Sequence, residues 1–264
     1  MSAWGPIRAL PLLLARPGDV LGRRSYVLVL SHMRSYSSVL SHVLGSHPEI
    51  TGYAEMHQAY RRPIDFLRLR VRVMRSTEGR LDGRFVLDKV LHDRYPVAAE
   101  ILDREDVRPI FLVRAPRDAI ESIIGMGQDV TNVDWYSDPA AVADYYARRV
   151  RTLAQIGRSM ASSALFVRAE SVLEDTTTVL ADITEYLALE SPLAPSYTTF
   201  AHTGEPGFGD YSDRIRTGRI VSEPRRSDRP AVAEAILDEA RAAYDDCLAA
   251  VEPRRAAATA EAGA

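Results

Sequence analysis

Four short apolar runs, each followed by a stretch suited to a helix, restrict this chain more than any other feature. They are Tyr26–Leu30, Phe85–Lys89, Pro109–Val113 and Ala164–Arg168. Short, almost continuously apolar runs read as strands buried on both faces. The stretches that follow them, Ser37–Gly45, Pro96–Arg104, Arg117–Met126 and Thr176–Leu187, suit helices. Alternation of this kind implies a parallel sheet with helices on its faces. Asp138-Pro139 opens a further helix running to about Ser159, with an acidic N-cap and proline at the first helical position. Arg229-Pro230 opens another toward Val251, with Val232, Ile236, Ala240 and Ala243 on one stripe. No internal repeat is present. The economical architecture is a single α/β domain over 26–251, a central parallel sheet flanked by helices. An N-terminal arm (1–25) precedes it, and an Ala-rich tail (252–264), expected to be disordered, follows.

Composition narrows the function classes. With 46% hydrophobic residues in 264, the chain has ample material for a core. The formal net charge of -3 balances 33 basic against 36 acidic side chains, so there is no global basic field and no nucleic-acid partner is expected. Cys247 is the only cysteine, which excludes internal disulfides and all-cysteine zinc sites and suits a reducing, cytoplasmic setting. The apolar run Ala9–Ala15 is interrupted by Pro11 and is far shorter than the roughly 20 residues a bilayer span needs. No other stretch suits a transmembrane segment. His32, His42, His47, His57, His92 and His202 show no zinc-protease spacing, and no metal is expected. Lys89 is the only lysine in the chain. Between Arg61 and Arg84 lie eight arginines against Asp65, Glu78 and Asp82. Ile64, Leu67, Val71 and Met74 give this stretch a helical stripe, although residues 67–73 also alternate like a strand. It reads as a solvated basic face or as a surface for an anion. No pattern fixes the oligomeric state.

In an open α/β sheet, ligands sit beyond the carboxyl ends of the strands. After the first strand comes Arg34-Ser35-Tyr36-Ser37-Ser38, a turn entering a helix. Such a turn offers free N–H groups and the positive end of the helix dipole to an anion. Arg34 adds a planar cationic fork, and the serines add hydroxyl donors or, alternatively, simply cap the helix. The third strand ends in Arg114-Ala115-Pro116-Arg117-Asp118, with Ser122 inside the helix that Pro116 begins. Arg114 and Ser122 are candidates to meet on one phosphate. Two anion-competent loops after neighbouring strands imply a ligand with two separated anionic groups.

These residues resemble the sulfotransferases that use 3′-phosphoadenosine 5′-phosphosulfate (PAPS), in a bacterial style suited to secondary metabolism. The family's first loop reads Arg/Lys-Ser-Gly-Thr/Ser-Thr/Ser, matched at 34–38 except at Tyr36. Its second signature, Arg-x-Pro-Arg/Lys-Asp with Ser eight residues after the first Arg, is matched by Arg114, Pro116, Arg117, Asp118 and Ser122. Its acidic turn and following helix end appear as Val167-Arg168-Ala169-Glu170-Ser171-Val172 and Tyr186-Leu187-Ala188-Leu189, so the match spans about residues 26–189. Thr217-Gly218-Arg219 is similar to the short loop that touches the 3′-phosphate in relatives. The resemblance implies a P-loop-NTPase-like sulfotransferase fold. It also implies PAPS as co-substrate and in-line transfer to a hydroxyl or phenol on a small molecule, glycan or lipid. Arg34, Ser35, Tyr36, Ser37 and Ser38 would grip the phosphosulfate, and Arg114, Ser122, Gly218 and Arg219 the 3′-phosphate. Two groups compete as base. Glu55 follows His47-Pro48 as in tyrosylprotein and Golgi-type enzymes, whereas His92 follows Lys89 with one residue more than in cytosolic ones. Lys89 is placed to reach the bridging oxygen. Tyr53, His57, Tyr60 and Trp135 are candidates to line the acceptor site, with core packing as the alternative. Two departures stand out: Tyr36 replaces a glycine, and Ala169 a tyrosine often placed near adenine.

Two rival readings make different demands. A P-loop kinase needs glycines and a Gly-Lys-Ser/Thr end to wrap a triphosphate, and Ser31–Ser38 holds neither glycine nor lysine. A non-catalytic nucleotide- or polyanion-binding module using the 61–84 arginines predicts binding without turnover.

Overall fold

In the computed structural model, which describes residues 16–77, 79, 81–129, 133–205, 213–221 and 232–252, five parallel strands form one sheet. The strands are β1 (Ser25–Ser31), β2 (Ile50–Thr51), β3 (Phe85–Val90), β4 (Val107–Val113) and β5 (Leu165–Arg168), in the spatial order β2-β3-β1-β4-β5. All four predicted strands are present. The two-residue β2, which pairs with the start of β3, is too short to leave a pattern. Burial follows the pleat: Tyr26, Leu28 and Leu30 of β1 enter the core on one face, Val27 and Val29 the core on the other.

Nine α-helices among the described residues surround the sheet: α1 (Pro17–Leu21), α2 (Ser37–Gly45), α3 (Ile64–Ser76), α4 (Ala99–Leu102), α5 (Pro116–Asp129), α6 (Pro139–Ser159), α7 (Ser171–Glu174), α8 (Thr176–Tyr186) and α9 (Glu234–Val251). Asp138 caps α6 by accepting the Ala140 N–H at 2.9 Å, with Pro139 opening the helix. α9 packs along α6 through Leu237, Ala240, Ala243, Cys247 and Val251. Their approach requires Gly157, where a Cβ would lie 2.7 Å from a Val251 methyl.

Two expectations change in the structure. The helix expected over Pro96–Arg104 shrinks to α4, because Val97 forms a β-bridge with Tyr60 that keeps the chain extended. α3 is a helix, but its buried stripe is Phe66, Leu69, Arg70, Val73 and Met74 beside Val71, while Ile64 is exposed. Phe66 stacks on Tyr26 of β1, and that contact sets the helix's phase. In the arm, α1 puts Val20 in the core, and Arg70 holds the carbonyls of Val20 and Gly22. The Ala9–Ala15 run, Arg229-Pro230 and the tail beyond Glu252 lie outside the described residues; the helix expected to follow Pro230 is α9, which begins at Glu234, with Val232 buried ahead of it.

Candidate active site

β1 pairs in parallel with both β3 and β4, so the loops leaving their carboxyl ends converge. The chain runs from β1 to one side of the sheet and then returns to the other, which is where a crevice opens in such folds. The loop after β1 folds tightly on itself. Ser35 is fully buried and its hydroxyl bonds the Ser31 hydroxyl at 2.6 Å and the His32 carbonyl at 2.8 Å. Its side chain therefore holds the loop, and only its backbone remains to meet a ligand. Arg34 and Tyr36 both adopt positive φ, 61° each. The glycine-like conformation is kept without the glycine, at a cost of about 1–2 kcal/mol for tyrosine. The Tyr36 ring lies against the Arg114 guanidinium, 4.2 Å from its centroid. Such a contact contributes about 0.5–2 kcal/mol and offsets much of that cost.

Arg114, Ser122 and Arg34 come together. Arg114 is buried and donates to the Arg34 carbonyl at 2.8 Å, and Arg34 Nε donates to the Ser122 hydroxyl at 3.1 Å. Ser122 thus touches Arg34 directly, and the Arg34 carbonyl in turn holds Arg114. Glu170, from the acidic turn after β5, accepts the Ala115 N–H at 2.8 Å and lies 4.0 Å from Arg114 Nε. Arg117, by contrast, turns away to Glu121 of its own helix and Glu234 of α9. Ser37 and Ser38 begin α2, and Lys89 Nζ donates to Ser38 Oγ at 3.0 Å. Lys89 is almost wholly buried, so the chain's one ammonium is aimed at the amino end of α2. Gly218, at φ 69°, and Arg219 lie on a separate strip. There the Gly218 carbonyl accepts the Tyr197 N–H, and Tyr197 packs edge-on to His42 of α2.

The two candidate bases differ in environment. The Glu55 side chain is 8% exposed, and its Oε1 is buried without a hydrogen-bond partner. Burial raises its pKa, opposed by Lys89, Arg94 and Arg149 and by the nearby Leu91 N–H. His92 is pushed down to about 4 by burial and by Arg94 and Arg149. It is neutral at pH 7 but a poor proton acceptor. Of the proposed acceptor-lining residues, Tyr53 and Tyr60 belong to the core: Tyr53 stacks on Phe200, and Tyr60 donates to Asp88 at 2.5 Å. His57 and Trp135 remain part-exposed, the former 3.6 Å from Glu55 and the latter packed on Tyr136 and Tyr145.

Sequence reasoning passed over the residues of α6 that lock these loops together. Arg149 is 2% exposed and donates to the carbonyls of Ser31 and Val90 and to Asp93. Tyr145 accepts the Met33 N–H at 3.1 Å and donates to the Leu91 carbonyl at 3.2 Å. Tyr146 donates to the Arg114 carbonyl at 2.5 Å, while His32 accepts the Arg114 N–H at 3.0 Å. That last bond requires an unprotonated Nε2, and burial holds His32 at about 3. The available signal was helical phase: Arg149 falls on the stripe of Val142, Tyr146, Val150 and Leu153.

Among the described residues no cluster of three His, Cys, Asp or Glu is placed to hold a metal, and no helix is long and apolar enough to cross a membrane. No protein-family model and no curated protein matches the chain in sequence. Among solved structures, a sulfotransferase domain of the Synechococcus PCC 7002 olefin synthase aligns at 18% identity over 88% of this chain and 94% of its own, with a TM-score of 0.44. A sulfotransferase domain from the curacin biosynthetic pathway aligns at 14% identity over 84% of this chain and 96% of its own, with a TM-score of 0.57. The parallel sheet and flanking helices of this chain are therefore those of a sulfotransferase-domain fold.

Proposed function

We propose that the protein is a PAPS-dependent sulfotransferase that moves a sulfuryl group to a hydroxyl or phenol by in-line displacement. The observation that carries this reading is the convergence of Arg34, Arg114 and Ser122 at the amino end of α2, joined there by Lys89 on Ser38. A doubly anionic nucleotide fits such a cluster. Arg34, Ser37, Ser38 and the loop's N–H groups serve the phosphosulfate, while Arg114 and Ser122, with Gly218 and Arg219, serve the 3′-phosphate. As charge builds on the bridging oxygen, Lys89 and the α2 amino end are preorganised to meet it. Glu55 takes the acceptor proton. It is buried, faces Lys89, and its raised pKa makes it a stronger acceptor than His92. The acceptor is a small molecule, glycan or lipid bearing a hydroxyl, and it enters past His57, Tyr95, Trp135 and Tyr136. A reducing, cytoplasmic setting suits the buried thiol of Cys247, whose pKa burial pushes up to about 12.

The test is transfer of ³⁵S from labelled PAPS across a panel of phenols and primary and secondary alcohols. The wild-type protein is expected to label at least one acceptor, and Glu55→Gln to lose about 10²–10⁴-fold in rate with unchanged nucleotide affinity. A polyanion-binding module would label none.

A further inference from the structure

The segment that carries Glu55 into the site is strained and held from two sides. His57 has φ 51°, a left-handed conformation uncommon outside glycine. On one side the buried Asp88 accepts the Met56 N–H at 2.8 Å. The same carboxylate accepts the Lys89 N–H at 2.8 Å and the Tyr60 hydroxyl, which ties the segment to β3 beside Lys89. On the other side Arg72 donates to the Met56 carbonyl and, at 3.4 Å, to that of His57. Strain held this firmly is characteristic of functional sites. The side chain it positions is not in the core, since His57 is 35% exposed. What the clamp does achieve is to set His57 Nε2 3.6 Å from Glu55 Oε2, between a carboxylate that is 8% exposed and the solvent.

A buried base that takes a proton in each turnover must also lose it. Resting on the reading of Glu55 as that base, we infer that His57 is the proton relay between Glu55 and water. In the transfer step the acceptor O–H bond breaks and its proton goes to Glu55. The acceptor oxygen bonds to sulfur, and the bond from sulfur to the donor's phosphate oxygen breaks. Glu55 Oε2–H then protonates His57 Nε2, the ring releases one proton to water, and the carboxylate is restored. The balance is one proton released per sulfuryl group moved. At 3.6 Å the pair is longer than a hydrogen bond, as catalytic contacts often are before substrate binds. The groups facing His57 are Glu55, His92, the Tyr95 ring and the cations Arg72, Arg94 and Lys89. Burial and these cations lower the pKa of His57, while burial raises that of Glu55, so the two shift toward each other.

The experiment compares single and multiple turnover in His57→Asn, which tolerates the left-handed backbone, and in His57→Gln, using ³⁵S-PAPS and the best acceptor of the panel. Both variants are expected to keep nucleotide affinity, and at saturating acceptor their first-turnover rate should fall far less than their steady-state rate. Their steady-state rate should fall about 10–100-fold and be restored by added imidazole. A merely structural role would depress both phases without rescue. That outcome, or an unchanged steady-state rate, overturns the relay. Glu55→Gln separates the two layers: if it transfers normally, the base assignment itself fails, whereas first-turnover loss in Glu55→Gln with unaffected His57 variants removes only the relay.

Discussion

At Glu55, the proposed base, and at Tyr36 the effect of a single side chain can be measured. For Glu55 the sign of the pH effect follows from its environment. A base must be unprotonated, burial raises its pKa, and so kcat/KM is expected to fall on the acid side through a limb displaced above the ordinary carboxylate range. In Glu55→Gln the residual rate should lose that limb, which a pH–rate profile checks. Tyr36 makes a different point. Replacing it with glycine relieves the left-handed backbone but removes the ring from Arg114. The two terms are of similar size, so Tyr36→Gly is expected to change stability by less than about 1 kcal/mol in a denaturant titration. Arg114→Ala has no such compensation and should weaken 3′-phosphoadenosine 5′-phosphate binding by about 10-fold or more, the loss of one charge-assisted contact. At this scale the motif residues were legible because spacing after a strand fixes where a side chain emerges. The choice between Glu55 and His92 was not, because spacing says nothing of burial.

Among the elements, α6 contributes most to the site without belonging to any motif. Arg149, Tyr145 and Tyr146 bond to the loops after β1, β3 and β4, and so hold three strand ends in register. Arg149→Met leaves the buried carbonyls of Ser31 and Val90 without that donor. The expected cost is about 3 kcal/mol or more, read as a Tm lower by several degrees, with nucleotide affinity falling as well. In sequence Arg149 was hidden because it stands between exposed Arg148 and half-buried Arg151 in an arginine-rich chain. The same richness obscured α3, whose arginines divide between Arg70 at 6% exposure and the solvated Arg68 and Arg75. The helices α2, α6 and α8 were readable because a proline, an N-cap acid or a clean strand-to-helix break marks where each begins. The short α4 and β2 were not, since both depend on bridges formed with distant segments.

For the molecule as a whole, the parallel sheet followed from buried apolar runs, but its order did not. Placing β1 between β3 and β4 is a tertiary outcome, and it brings the Arg34, Lys89 and Arg114 loops to one crevice. That arrangement leaves one carboxyl, Asp88, fully buried in the central layer, where burial raises its pKa to about 7. A carboxyl whose folded pKa exceeds its unfolded value contributes stability that is complete below about pH 4 and is lost as pH rises through about 7. Tm is therefore expected to decline over that window. Asp88→Asn, which keeps the acceptor for the Met56 and Lys89 N–H groups, should flatten the decline. The proposed function requires a nucleotide carrying phosphate at both its 3′ and 5′ positions. Calorimetric titration of 3′-phosphoadenosine 5′-phosphate against ATP tests this most directly. Tighter binding of the bisphosphate, weakened about 10-fold or more in Arg114→Ala, is the expected result; ATP binding as tightly or more tightly would contradict it.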